Sequence, residues 1–84
     1  MTTLERRDLM LDAVEGSDGF VKLRVVVQGL ADNGVEADVL LEDLDQIRKL
    51  VSEEDEDKAM DVMDLIVGYC ADSARIRFPR IAGS

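Results

Sequence analysis

Polar and apolar positions follow the helical repeat through most of this chain, and most cleanly over residues 53–72, EEDEDKAMDVMDLIVGYCAD. At about 100° per residue, Ala59, Met63, Ile66 and Cys70 share one side, flanked by Val62, Tyr69, Met60 and Val67. Nearly opposite runs a narrow strip of Glu54, Asp57, Asp61, Asp64, Gly68 and Asp72. The pattern predicts a helix packed on almost three sides that shows water a single row of carboxylates. Ser52 stands where a cap is wanted, Asp55 follows as a short-armed capping box, and the acids that open the segment suit the positive end of the helix dipole.

Residues 36–51 read as a second helix. Leu40, Leu44, Ile47 and Val51 form its apolar stripe, widened by Leu41, while Asp38, Glu42, Asp45 and Lys49 lie on the other face. Only a short turn at Ser52 separates these two helices, which predicts an antiparallel pair. Near the start of the chain, Thr2 and Glu5 form the T-x-x-E signature of a capping box. A helix over 3–15 follows, with Leu4, Met10, Leu11 and Val14 on one side. Gly16-Ser17-Asp18-Gly19 ends it as a turn, in which Ser17 or Asp18 can cap the next element.

Residues 19–33 carry two patterns. Phe20, Leu23, Val27 and Leu30 have helical spacing, yet the run from Phe20 to Val27 is rich in β-branched residues. Helix is the better reading, because a lone strand needs a partner and Ala31-Asp32-Asn33-Gly34 resembles a helix closed by a left-handed glycine. The predicted fold is therefore all-α: a small antiparallel four-helix bundle with helices at about 3–15, 19–33, 36–51 and 53–72 and an extended C-terminal tail. The alternative is an α+β arrangement with a short strand pair, 20–27 against 75–81. Residues 1–72 would form the helical domain and 73–84 a basic tail. Pro79 excludes helix around Phe78. The tail is open to three readings: a disordered end, a strap that buries Ile76 and Phe78, or an edge strand.

Charge changes the picture. Residues 1–34 carry −2, residues 35–72 carry −10 and residues 73–84 carry +3, for a net −9. Such a balance argues against direct binding to nucleic acid or to an anionic membrane, and fits a basic protein partner. The single cysteine cannot form an internal disulfide, and Cys70 on an apolar face reads as a buried small hydrophobe. No signal-peptide run or span of transmembrane length is present, so a cytoplasmic location is expected.

The chemistry of sites is sparse. With no histidine, the commonest general base, metal ligand and nucleophile partner are missing. No glycine-rich phosphate loop, CxxC pair or EF-hand loop occurs. Asp57, Asp61 and Asp64 could face one another, but a convex helix offers a cation too few ligands from one side. Neither catalysis nor a cofactor or metal is expected. Acyl carrier proteins are also small acidic helical bundles, but their Asp-Ser-Leu attachment motif is missing. Ser17 precedes Asp18-Gly19, and Ser52 precedes Glu53-Glu54.

Two functions remain. The first is a binding module that docks a basic protein through Asp57, Asp61, Asp64 and Asp72, as an inhibitor, an immunity or antitoxin-type protein, or a mimic of nucleic-acid charge would. The second is a structural or assembly subunit, possible as a homo-oligomer, suggested by the wide apolar arc of residues 53–72 and by Met10, Met60 and Met63 on apolar faces.

Overall fold

The computed structural model describes residues 2–68 and Ile76. Four helices form: α1 (Thr3–Val14), α2 (Gly19–Asp32), α3 (Ala37–Arg48) and α4 (Glu53–Val67). Among the described residues there is no strand, so residues 20–27 belong to a helix and the strand-pair alternative fails there. The β-branched residues are accommodated because Leu23, Val27 and Leu30 keep the 3.6-residue stripe and bury it. No helix among the described residues is long and apolar enough to cross a membrane.

Each boundary has a local cause. Thr2 Oγ1 accepts from the Glu5 N–H at 3.2 Å while Glu5 Oε1 accepts from the Thr2 N–H at 3.4 Å, the reciprocal capping box that starts α1. Asp18 precedes α2 but does not cap it with its side chain; its carboxylate instead meets Lys22 at 3.4 Å. α2 closes in a Schellman motif, with the Gly34 N–H donating to the Ala31 carbonyl and the Val35 N–H to the Leu30 carbonyl. At α4, Ser52 Oγ accepts from the Asp55 N–H at 3.4 Å, but the Asp55 carboxylate turns to Lys58 rather than completing a box.

α4 is shorter than its periodicity suggests. Gly68 takes φ 89°, a left-handed conformation that ends the helix, and its N–H donates to the Asp64 carbonyl. The expected continuation to Asp72 is thus cut at Val67, and Asp72, Tyr69 and Cys70 lie outside the described residues. α3 is shorter as well. It ends at Arg48, so Leu50 is exposed and Val51 only half-buried.

α1 packs on α2 and α3, and α4 packs on α3 and α2, which places the helices around the bundle in the order α1, α2, α4, α3. α3 and α4, joined by Lys49–Ser52, are the closest neighbours. Met10 and Val14 of α1, Leu23 and Val27 of α2, Leu40, Leu44 and Ile47 of α3, and Ala59 and Val62 of α4 meet in one fully buried core. Each of the larger side chains contributes roughly 1.5–3 kcal/mol by leaving water. Ile76 joins this core, and its N–H donates to the Leu65 carbonyl at 3.0 Å, near the open end of α4. That agrees with the strap reading at Ile76; Phe78 lies outside the described residues.

Some predicted inward positions point out. Leu4 is 74% exposed, because the inner side of the first turn of α1 is taken by arginines directed at α3. Met60 and Val67 are also exposed, and Leu65 takes their place against the core. The buried arc of α4 is therefore centred on Ala59, Val62 and Ile66, and is narrower than three sides.

Gly19 is required by close approach. A Cβ there would fall on the Val14 carbonyl, where α1 ends against the start of α2. Lys58 secures the same corner from α4: its Nζ donates to the Gly16 carbonyl at 2.6 Å and to the Val14 carbonyl at 3.4 Å, a cation at the negative end of α1.

Candidate functional site: the carboxylate strip of α4

The acids of this chain divide by whether its own bases reach them. Asp43 is the most enclosed, with its side chain 1% exposed. Arg6 Nε donates to its Oδ2 at 2.6 Å and Arg7 Nε to its Oδ1 at 2.9 Å, so both carboxylate oxygens are used. Asp45, Arg48 and Glu56 form a second cluster across the α3–α4 turn. Arg48 Nε donates to Asp45 Oδ1 at 2.8 Å and its Nη1 to Glu56 Oε2 at 3.0 Å, while Lys49 Nζ approaches Asp45 Oδ2 at 3.3 Å. The Arg48 and Lys49 hydrogen bonds hold the Asp45 carboxyl below its ordinary range against partial desolvation. The Asp45 hydrogen bond in turn holds the Arg48 guanidinium above its own ordinary range. Asp55 pairs with Lys58 at 3.0 Å.

Asp57, Asp61 and Asp64, like the exposed Asp8, Asp12, Asp38, Glu53 and Glu54, meet no base among the described residues, and they alone of these lie in one row along the middle of α4. All three are exposed on the outer side of α4, one helical turn apart, and none forms an ion pair or side-chain hydrogen bond with a described residue. The cause lies in α4 itself. Its one base, Lys58, points toward the α1–α2 corner, and the neighbouring bases of α3 are held by Asp45 and Glu56. The strip that periodicity predicts is therefore real at Asp57, Asp61 and Asp64. Gly68, expected to continue it, ends the helix instead, and the fourth predicted member, Asp72, falls outside the described residues.

Such a strip accepts hydrogen bonds from several lysines or arginines at once, each carboxylate keeping its own solvated approach. Among the described residues, no three carboxylates or cysteines are grouped so as to hold a metal ion.

Two features escape a reading by periodicity alone. Asp43 lies three residues after Leu40 and four before Ile47, within the apolar stripe of α3, and an acid at such a position signals a buried partner. A shallow groove between α1 and α2, lined by Leu9, Ala13, Val21, Val25 and Val26 with Asp12 and Lys22, is the other. Val21 and Val25 belong to a second, outward row of α2, beside the stripe that packs the core.

Comparison with protein-family models, with curated proteins and with solved structures found no match to this chain.

Proposed function

We propose that this protein is a binding module, not an enzyme, and that the outer face of α4 docks a basic protein in the cytoplasm. The observation that carries this reading is the contrast among its acids: Asp43, Asp45, Asp55 and Glu56 are engaged by the chain's own bases, whereas Asp57, Asp61 and Asp64 are exposed and unengaged among the described residues. Three like charges one turn apart work against a helix by a few tenths of a kcal/mol per pair, and the fold obtains nothing visible in return. A basic partner turns that cost into attraction. It also gives association that is fast and salt-sensitive. An inhibitor of a basic enzyme, of the immunity or antitoxin kind, or a mimic of nucleic-acid charge, has these properties. With a net charge of −9, the chain repels nucleic acid itself.

The test is capture from a lysate on the immobilised protein at low and at high salt. Basic proteins retained at low salt and released at high salt support the proposal. A retained set indifferent to salt, or none at all, argues against it.

A further inference from the structure

The groove between α1 and α2 lies apart from the acidic strip, and its chemistry is mixed rather than acidic. Leu9 on α1 and Val21 and Val25 on α2 are 42%, 60% and 66% exposed, yet all three line this one groove. Gly29 continues the Val21–Val25 row along α2. Its φ is not positive, and a Cβ placed on it would meet nothing within 4 Å. A glycine in mid-helix costs about 1 kcal/mol relative to alanine, and no contact among the described residues explains it. Close approach of a second helix would.

The flanks of the groove say which surface fits. Asp8 and Asp12 stand beside Leu9 on the outer face of α1 and have no ion-pair partner among the described residues. On the far side of the valine row stands Arg24, the one cation among the described residues that no acid engages; Arg6, Arg7, Lys22, Arg48, Lys49 and Lys58 are all paired. One edge is thus acidic and the middle apolar, and the other edge carries Arg24 level with the stretch between Asp8 and Asp12, with Asp32 two turns further along α2.

We propose that this face is the interface of an isologous homodimer, in which α1 of each copy lies over α2 of the other. A two-fold axis running along the groove brings Asp8 and Asp12 of one copy to Arg24 of its partner, twice, and lays Leu9 against the valine row. A two-fold axis across the groove would set α1 on α1 and acids against acids, so charge selects the first arrangement. A basic partner would meet Arg24 and Lys22, and an acidic one would meet Asp8 and Asp12. A second copy of this chain satisfies both edges. None of these residues belongs to α4, so the dimer stands or falls independently of the acidic strip.

Sedimentation of the full chain over a wide concentration range tests this. A reversible monomer–dimer equilibrium is expected. Val25→Glu should weaken it at least tenfold while leaving the unfolding midpoint unchanged at concentrations where the wild type is monomeric, since Val25 is largely exposed in the single chain. Arg24→Glu should weaken it too, and Asp8→Arg with Asp12→Arg added to Arg24→Glu should restore it by exchanging the two edges. A strict monomer at every concentration, an assembly indifferent to Val25→Glu, or a triple variant that fails to recover would each overturn the proposal.

Discussion

Arg6 reaches Asp43 across 37 positions of sequence, Nε to Oδ2 at 2.6 Å, and so ties the first turn of α1 to the apolar stripe of α3. Arg7 closes the other carboxylate oxygen. A carboxylate this enclosed depends on its partners, and the partners' charges are uncompensated without it. Asp43→Ala is expected to cost about 3 kcal/mol, read as a lower urea midpoint with an unchanged slope. Replacing the whole cluster, with Asp43→Leu, Arg6→Met and Arg7→Met together, should recover most of that loss, because the desolvation cost of all three charges goes with them. A triple variant no better than Asp43→Ala would show that the ion cluster itself is indispensable.

The α3–α4 turn should show acid sensitivity of defined sign. Asp45 titrates below its ordinary range because Arg48 and then Lys49 hydrogen-bond to it. A carboxyl with a depressed folded value adds stability that is fully present above its unfolded value and disappears as pH falls through the folded one. Arg48→Gln should therefore lower the urea midpoint modestly at neutral pH, where the pairing is intact, and flatten its fall below the ordinary carboxylate range, so that the variant and the wild type converge in acid. Because Asp45 and Arg48 are each about a third exposed, the effect should also shrink in high salt. An acid limb unchanged by Arg48→Gln would mean that other carboxylates set it.

Two helical glycines should respond in opposite directions to alanine. Gly19→Ala puts a methyl group on the Val14 carbonyl and forces α1 and α2 apart at their shared corner, a loss of roughly 1–3 kcal/mol. Gly29→Ala meets open space within the single chain and should raise stability by up to about 1 kcal/mol at concentrations where the protein is monomeric. Thermal denaturation of the two variants side by side reads the contrast.

The helices were legible because each carries its own stripe: Leu23, Val27 and Leu30 outweighed the β-branched run around them, and Leu40, Leu44 and Ile47 are buried as spaced. Their ends were legible only where a cap is local. Thr2 with Glu5 and the Gly34 closure could be read directly. Gly68 carried a stop signal too, but the apolar rhythm running on to Cys70 concealed it. What periodicity cannot supply is long-range pairing. Nothing near Asp43 names Arg6 or Arg7, and the outward turn of Leu4 follows from that distant contact. The positions of Asp57, Asp61 and Asp64 came from the repeat alone. That they are left unengaged depends on Lys58 turning to the Gly16 carbonyl, a contact across 42 residues.

Whether those three carboxylates serve a partner rather than the fold is tested most directly by one comparison. Wild-type protein and the Asp57→Asn, Asp61→Asn, Asp64→Asn variant are immobilised at equal density, with equal unfolding midpoints confirmed, and exposed to the same lysate at low salt. The basic proteins held by the wild type should be lost from the variant. Equal retention by both would contradict the account and leave the strip as a solvated face.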